Sequence, residues 1–235
     1  MNVLLIFQFT AHLLADFIFQ PQNWCYLKEN RGITKIHLYH AAIVFVCSWV
    51  LSFSFSFWWA ALFIALFHLT FDIMKTYMLQ KRIWKNKLFF IDQSLHLIVI
   101  TCVVYWFLKI HRIDFQSFIS TNSIFIIFGL IACTKPANIF IKRFMEANEI
   151  LPVNDNTLLN AGRIIGSLER VIAFILIAFN QFSAVGFIIA AKSILRFKDL
   201  DTAKTEYVLI GSLLSFGIAI LLGIIYQLIN SLKII

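Results

Sequence analysis

Charged residues are scarce in this sequence. Asp, Glu, Lys and Arg make up 14% of its 235 residues, whereas a soluble domain carries roughly 25%. Apolar residues account for 60% of the chain, and many stand in runs of about 20, the length of helix that crosses a bilayer. The shortage of charge argues against a soluble domain. It predicts an all-α fold, a polytopic transmembrane helical bundle.

The sequence also lacks the motifs of a disulfide framework, a cleavable signal peptide and a nucleic-acid-binding module. The four cysteines are scattered without a Cys-x-x-Cys pair, so no disulfide framework is expected. The opening residues, MNVLLIFQFTAHLLAD, have neither a basic start nor a small-residue cleavage site, and we expect no cleavable signal peptide. The net charge is +8, yet no basic-aromatic module or helix-turn-helix pattern accompanies it. We therefore expect no nucleic-acid partner.

Eight apolar segments are predicted. The seventh is short and ends in Lys192 and Arg196, so a tilted or interfacial segment, and hence a seven-span topology, also fits. A polar stretch at 144–160 separates the early segments from the late ones. We expect two halves, a four-helix half at 1–110 and a C-terminal transmembrane half with a basic cluster at 111–235. The segments lie at 2–20, 36–54, 57–79, 89–109, 122–141, 161–180, 182–197 and 206–231.

Basic residues are distributed unevenly among the loops. With eight spans, the loops after the first, third, fifth and seventh segments hold most of the Lys and Arg, whereas the loop SFSFSF at 52–57 has no charge. The positive-inside rule makes the basic loops cytoplasmic and puts both termini on the opposite side of a bacterial inner membrane. The same rule accounts for the net charge.

Three predicted helices repeat one arrangement, a His and an Asp four residues apart. This spacing puts both side chains on one helix face. The orientation derived from Lys and Arg alone brings all these pairs to one depth near the cytoplasmic side. Ionisable residues inside a membrane are costly and normally face the bundle interior with a partner. The pairs are His12/Asp16, His68/Asp72 and Asp92/His96, and two further histidines, His37 and His40, open the second segment.

Three interpretations of this cluster stay open. The first is a hydrogen-bond network that joins helices, and the second is an ion or proton pathway. The third is a metal site, since imidazole and carboxylate suit Zn, Mn or Fe. The metal site is favoured, because the cluster exceeds what one tetrahedral ion needs and predicts two divalent ions bridged by an Asp. The candidate ligands are His12, Asp16, His37, His40, His68, Asp72, Asp92 and His96, with Asp16, Asp72 and Asp92 as the catalytic candidates.

Further polar residues are candidates for binding a substrate. Gln20 lies one turn beyond Asp16 and can orient a ligand or cap the segment at the membrane surface. In the second half, Arg and Lys recur on helix faces near the cytoplasmic side and can form a pocket for a phosphate or carboxylate headgroup. The alternative is positive-inside anchoring with ion pairs to Glu169 and Glu206. The candidates are Gln20, Lys28, Arg163, Arg170, Lys192 and Arg196.

Several short motifs carry a family resemblance. HLLADFIFQ, HLTFDIMK and DQSLH, followed by GRIIGSLER and AAKSILRF, resemble a bacterial family of integral membrane proteins known as domain of unknown function 3307. This resemblance spans most of the chain and implies a membrane location without an activity. The spaced His/Asp pattern is also similar to membrane-bound metal-dependent hydrolases of the YdjM type, which implies metal-dependent hydrolysis.

These observations together favour a membrane-embedded metal-dependent hydrolase. We expect it to act at the cytoplasmic leaflet on a lipid-like or phosphoester substrate, through a water activated by two metal ions. Membrane lipids and an anionic small molecule are the expected partners. Two alternatives belong to other classes: a divalent-metal or proton-coupled transporter, and a non-enzymatic scaffold or sensor with a structural His/Asp network.

Overall fold

Helices make up the regular structure of the chain. A computed structural model describes residues 3–81, 83–84, 87–111, 120–150, 159–196 and 202–231, with the backbone alone at 159–161, 195–196 and 202–205. No strand occurs within these ranges, which confirms the all-α prediction. The helices are α1 (Val3–Leu13, continued by a π-helical turn Leu14–Ile18), α2 (Gln22–Arg31), α3 (Lys35–Leu51), α4 (Trp58–Gln80, after a 3-10 turn Phe55–Phe57), α5 (Leu88–Ile110), α6 (Thr121–Ala132), α7 (Lys135–Ala147), α8 (Leu159–Ala178), α9 (Phe182–Arg196) and α10 (Thr202–Ser231).

The helices differ in whether they are long enough to cross a membrane. Among the described residues, three stretches are long and apolar enough, Phe55–Gln80, Leu88–Ile110 and Glu206–Ser231, and the number rises to five if each of two bent helix pairs is one span. Lys35–Leu51 and Phe182–Ile194 are apolar but shorter. Eight membrane segments were predicted, and the described helices provide three to five candidate spans by length and composition. This is consistent with a membrane protein.

Prolines lie at two bends of the chain, one after the predicted segment 2–20 and one inside the predicted segment 122–141. The chain turns by 75° between Val3–Ile18 and Gln22–Arg31, because Pro21 adopts an extended conformation just before α2. The predicted segment 122–141 is divided by a bend of 48° between α6 and α7, and Pro136 stands in the first turn of α7. The polar stretch predicted at 144–160 begins inside α7, which continues to Ala147.

Residues Met1–Ile124 form the first of two compact units. In this unit α3 packs on α4 and α4 on α5, while α1 contacts both α3 and α5, so that these four helices surround a common core. Small side chains line it, with Ala11 and Ala15 on α1 and Ala61 and Ala65 on α4 all buried. Small residues let helices approach closely, and this closeness brings the polar side chains of four helices within reach of one another.

Residues Phe125–Ile235 form the second unit. Here α8 packs against α7, α9 and α10, and α10 also contacts α7. Two glycines permit the close approach of helices. A Cβ atom at Gly129 would lie 2.3 Å from the Phe174 ring, and one at Gly223 would lie 2.5 Å from Cγ2 of Ile177. The core of this unit is therefore shaped by the absence of two side chains as well as by its apolar residues.

The outward faces of the long helices are apolar. On α4, Phe63 and Leu66 are exposed, and on α5, Ile98 and Tyr105 are exposed, Tyr105 to 74%. Large contiguous apolar surfaces are rare on soluble monomers and mark contact with a partner or a membrane. The histidines of α1, α3, α4 and α5 are buried, whereas large apolar side chains of α4 and α5 are exposed, as expected for helices that face lipid.

Candidate metal centre

Asp16 lies at the centre of the polar cluster of the first unit. Its Oδ1 is 2.8 Å from Nε2 of His68, 3.4 Å from Nε2 of His40 and 3.7 Å from Nδ1 of His12. Its Oδ2 accepts a hydrogen bond of 3.3 Å from Nε2 of Gln93. The three histidines are buried. One carboxylate thus gathers imidazoles from α1, α3 and α4 and an amide from α5.

A π-helical turn determines where Asp16 points. The turn Leu14–Ile18 continues α1, and the N–H of Phe19 donates to the carbonyl of Leu14 at 2.8 Å. This hydrogen bond reaches back five residues, a pattern that occurs mostly as single turns and frequently at functional sites. Asp16 lies in this widened turn, and its carboxylate is nearer to His68 than to His12.

Four histidine rings form one contiguous group beside Asp16. The rings of His68 and His96 stack with their centroids 3.9 Å apart and their planes at 21°. The centroid of His40 is 4.9 Å from that of His68, and the centroid of His12 is 5.3 Å from that of His96. The rings come from four different helices, so the group exists only in the folded first unit.

Five ring nitrogens of this group are buried without a hydrogen-bond partner among the described residues. They are Nδ1 of His12, His40 and His68 and both ring nitrogens of His96. Leaving one buried polar atom unsatisfied costs about 1–3 kcal/mol, and a native structure normally contains few such atoms. Lone pairs on imidazole nitrogens beside a carboxylate are the donors that a transition-metal ion or Zn uses. The chemistry of the donor set therefore fits a metal.

Two groups of three side chains have the spacing of a metal site. Within the described residues, candidate ligand atoms of His12, Asp16 and His96 lie within 4.8 Å of one another, as do those of Asp16, His40 and His68. Ligand atoms of a shared tetrahedral ion lie about 3.4 Å apart when the bonds are near 2 Å, so a small contraction would close either group. Asp16 belongs to both groups. The arrangement can hold a metal, as the sequence predicted in outline.

Asp72 and Asp92 have lysine partners. Lys28 on α2 donates to Oδ2 of Asp72 in a short contact, and Lys75 donates to Oδ2 of Asp92 at 2.8 Å. Oδ1 of Asp92 is 3.9 Å from Nδ1 of His96, beyond hydrogen-bonding distance. Neither carboxylate belongs to the two groups of possible ligands. Of the three aspartates predicted to be metal ligands, Asp16 alone belongs to these groups among the described residues.

His37 has both ring nitrogens engaged within the protein. Its Nδ1 lies 3.3 Å from the backbone N and 3.1 Å from the carbonyl O of Thr34 at the start of α3, and its Nε2 is 3.0 Å from Oγ1 of Thr76 on α4. His37 therefore caps α3 and joins it to α4, and it lies outside both groups of possible ligands.

Gln20 and Lys28 brace the turn that carries Asp16. With its amide oriented to satisfy both neighbours, Gln20 donates to the backbone carbonyl of Asp16 at 3.2 Å and accepts from Nζ of Lys28 at 2.9 Å. Lys28 is buried and also binds Asp72. These two residues thus lie at the centre, as predicted, and their contacts are with protein groups. A role in binding substrate stays a prediction.

The sequence interpretation missed two contributors to the centre. Gln93 accepts a hydrogen bond from Nε2 of His12 at 3.1 Å and donates to both Asp16 and Asp92 at 3.3 Å. Lys75 appeared to be a loop charge but lies within α4. Signals for both were present, since Gln93 is a polar residue three positions before His96 in an apolar helix, and Lys75 lies three after Asp72.

Arg170 is a structural residue of the second unit. Its guanidinium is buried, with Nε donating to the carbonyl of Cys133 at 2.7 Å, Nη1 to Oγ of Ser215 at 2.8 Å, and Nη2 to Oγ of Ser167 at 3.1 Å and to Oδ1 of Asn138. These partners belong to the α6–α7 junction and to α7, α8 and α10. The guanidinium that was predicted to bind an anion is committed to joining helices.

The other predicted anion-binding residues are placed differently. Lys192 forms a close ion pair with Glu169, which was the alternative reading of this residue, and Arg163 lies on the exposed face of α8. The side chain of Arg196 lies outside the described residues. Of the four residues predicted to form an anion pocket, Arg163 is exposed. Arg170 and Lys192 bind protein groups of the second unit.

A comparison with protein families gives a match that covers nearly all of the first unit. The family model described as a protein of unknown function, DUF3307, matches residues 4–126, just over half of the chain. The chain belongs to this family. The match includes all the residues of the candidate metal centre. No curated protein and no solved structure matches the chain, so the likeness to YdjM-type hydrolases gains no support from these comparisons.

Proposed function

We propose that this DUF3307 protein is a membrane-embedded metal-dependent hydrolase whose centre holds two divalent ions bridged by Asp16. The observation that carries the proposal is that Asp16 belongs to both groups of possible ligands, His12/Asp16/His96 and Asp16/His40/His68. A carboxylate has two oxygens and can bridge two ions, and paired ions about 3.5–4 Å apart are a common arrangement in enzymes that hydrolyse phosphoesters. Imidazole-rich ligation favours Zn, Mn or Fe over Mg or Ca.

The net charge of the proposed centre indicates the class of substrate. Asp72 and Asp92 are neutralised by Lys28 and Lys75, which leaves Asp16 as the one uncompensated carboxylate at the described centre. Two divalent ions with one carboxylate and neutral imidazoles carry a net charge of about +3, and such a site attracts anions. A phosphoester, or a lipid-like substrate with an anionic headgroup, supplies the missing negative charge. The apolar exposed faces of α4 and α5 favour a substrate that arrives through the membrane.

The proposed reaction is hydrolysis. Divalent ions held by these residues would supply a nucleophile at neutral pH by lowering the pKa of coordinated water. Hydrolysis would consume one water and break the bond between the phosphorus or acyl carbon and the leaving oxygen, and that oxygen would take up a proton from the water. The protein holds the ligands in place through contacts from four helices. We place the centre near the cytoplasmic leaflet of a bacterial inner membrane, on the basis of the basic loops.

A second candidate function is a structural polar network. It is favoured by the ion pairs of Asp72 and Asp92 and by the engagement of His37, since these residues show that much of the cluster joins helices. In this case Asp16 would accept hydrogen bonds from histidines without any ion. The network would then matter for stability alone, and the protein would act as a scaffold or sensor.

Metal analysis of the purified full chain distinguishes these functions. Protein is purified in detergent with Zn, Mn or Fe supplied during growth, and the bound ions are counted by elemental analysis. We expect the wild type to retain up to two ions per chain and Asp16→Asn to retain none. Asp72→Asn, the matched control that removes a buried carboxylate outside both ligand groups, is expected to keep its metal.

Activity is then measured on an amphiphilic phosphoester and an amphiphilic carboxyl ester in mixed micelles. Metal-dependent release of product by the wild type and Asp72→Asn, but not by Asp16→Asn, supports the hydrolase. Wild-type protein that stays free of metal after growth in all three supplements contradicts it. A protein in which Asp16→Asn lowers only the thermal unfolding temperature supports the structural network.

A further inference from the structure

The orientation of the Gln93 amide is determined by its neighbours. Oδ2 of Asp92 accepts hydrogen bonds from Nζ of Lys75 at 2.8 Å and from Nε2 of Gln93 at 3.3 Å, and Oδ2 of Asp16 accepts from the same Nε2 at 3.3 Å. An ionised carboxylate only accepts hydrogen bonds, and Oδ2 of Asp92 is paired with the ammonium group of Lys75. The amide nitrogen of Gln93 must therefore face the two carboxylates, which turns its carbonyl oxygen towards His12.

That oxygen determines the tautomer of His12. Oε1 of Gln93 lies 3.1 Å from Nε2 of His12, and an amide oxygen can only accept, so Nε2 must carry the hydrogen. In the neutral imidazole the other nitrogen, Nδ1, then has the lone pair. This Nδ1 is buried, has no hydrogen-bond partner among the described residues, and lies 3.7 Å from Oδ1 of Asp16. Two acceptors therefore face each other.

We infer that Gln93 is a positioning residue, which holds His12 as the Nε2–H tautomer and thereby prepares the His12/Asp16/His96 group for a cation before any ion binds. The inference rests on the proposed function, whose centre it describes in more detail. Histidines that bind metal usually donate their other ring N–H to a protein oxygen, and this partner sets the tautomer and the ring orientation. Gln93 provides that oxygen, and Asp92 and Lys75 keep its amide oriented.

The second ligand group is not prepared in the same way. Nε2 of His68 is hydrogen bonded to Oδ1 of Asp16 at 2.8 Å, so an ion bound through this nitrogen has to displace that hydrogen bond, and the hydrogen has to move from Nε2 to Nδ1. The His12/Asp16/His96 position needs no such displacement, because the lone pair of His12 already faces Asp16. We therefore expect the two positions to fill in order, with the His12/Asp16/His96 position first.

The tautomer is tested in metal-free protein. Ring nitrogens of ¹⁵N-histidine-labelled full chain in detergent are observed by NMR, and the His12 signals are assigned through their loss in His12→Asn. We expect a protonated Nε2 and an unprotonated Nδ1 in the wild type. Gln93→Leu should release this preference, because leucine offers no acceptor to Nε2. Gln8→Leu is the matched control: Gln8 is a buried glutamine that joins α1 to Ser48 on α3.

The consequence for metal is tested by titrating the same metal-free proteins with Zn²⁺. We expect Gln93→Leu to weaken binding of the first ion by about 10–100-fold, the usual effect of removing a partner of a ligating histidine, and to leave the second ion nearly unchanged. Gln8→Leu should bind both ions as the wild type does. A calorimetric titration resolves the two steps.

Two outcomes would overturn the inference: His12 protonated on Nδ1 in the wild type, or first-ion affinity that is the same in Gln93→Leu and the wild type. A wild type that shows the expected tautomer but binds no Zn²⁺ contradicts the proposed hydrolase instead, and leaves Gln93 as the residue that sets the His12 tautomer. The NMR measurement in metal-free protein thus separates the two failures.

Discussion

The carboxylate of Asp16 lies closer to His68, on another helix, than to His12, four residues earlier on its own. The distances from Oδ1 are 2.8 Å to Nε2 of His68 and 3.7 Å to Nδ1 of His12. Asp16 lies in the π-helical turn Leu14–Ile18, a type of turn that is frequent at functional sites. A motif that looks local in the sequence is thus completed by a contact between helices.

The two ligand groups predict how single histidine variants change the metal content. His96→Ala removes a ligand from the His12/Asp16/His96 group and His40→Ala removes one from the Asp16/His40/His68 group, so each should retain about one ion per chain where the wild type retains two. Elemental analysis of detergent-purified protein measures this. His37→Ala, which also removes a buried histidine, should keep both ions, and loss of metal from His37→Ala would contradict the assignment of ligands.

The Lys28–Asp72 pair predicts a stability difference between single and double variants. Lys28→Met leaves the carboxylate of Asp72, whose side chain is 11% exposed, without its cation. Breaking a buried pair from one side costs about 3–5 kcal/mol. Lys28→Met/Asp72→Asn removes both charges and should recover most of that loss. Thermal unfolding in one detergent measures the effect, since 1 kcal/mol shifts the midpoint by about 2–4 °C at this size.

An exposed ion pair provides the control for this measurement. Lys142 and Glu146 lie four residues apart on α7, with side chains 73% and 41% exposed. Lys142→Met should change stability by less than about 1 kcal/mol, because water screens the charges. Equal destabilisation by Lys28→Met and Lys142→Met would show that Lys28 and Asp72 do not form a buried pair in the folded protein.

Arg170 predicts that the second unit is sensitive to the loss of one guanidinium. Arg170→Lys keeps the positive charge but cannot reach the carbonyl of Cys133 and the hydroxyls of Ser215 and Ser167 at the same time. Each buried acceptor left without a donor costs about 1–3 kcal/mol. The thermal unfolding midpoint should therefore fall by several degrees. A midpoint unchanged in Arg170→Lys would contradict the structural role and return Arg170 to the candidates for binding an anion.

Two glycines on α10 predict opposite results for the same substitution. A Cβ atom at Gly223 would lie 2.5 Å from Cγ2 of Ile177 on α8, whereas one at Gly217 would meet nothing within 4 Å. Gly223→Ala should destabilise the protein by about 1–3 kcal/mol through overpacking. Gly217→Ala should be neutral or slightly stabilising, since alanine favours helix. Thermal unfolding of both variants compares them, and similar midpoints would contradict close α8–α10 packing at Gly223.

The fold class could be read from the sequence because it depends on composition. Long apolar runs with few charges leave the backbone no stable choice but helix in a membrane, and the helices appear close to the predicted segments. The broken segment 122–141 was harder to see. Pro136 lies inside it, and periodicity alone does not reveal the bend of 48° there. The helix α2, which follows the bend of 75° at Pro21, was not among the predicted segments.

Most residues of the candidate centre were predicted from the sequence. His12, Asp16, His40, His68 and His96 were named from their spacing, and the structure brings them together. The partners of Asp72 and Asp92 were not foreseen, because Lys28 was predicted to bind a substrate and Lys75 was counted among the charges of a basic loop. A sequence shows that a lysine is near a membrane boundary, but only folding shows which carboxylate it reaches.

The sequence by itself determined an all-helical fold with imidazoles on four apolar helices and carboxylates on three of them. Only the tertiary structure decided which carboxylate the histidines share. Helix spacing places side chains on a face, but the π-helical turn at Asp16 and the close packing around Ala11, Ala15 and Ala61 set the distances between helices. Because hydrogen bonds and ligand bonds depend on a few tenths of an ångström, those distances separate Asp16, among the histidines, from Asp72 and Asp92, beside lysines.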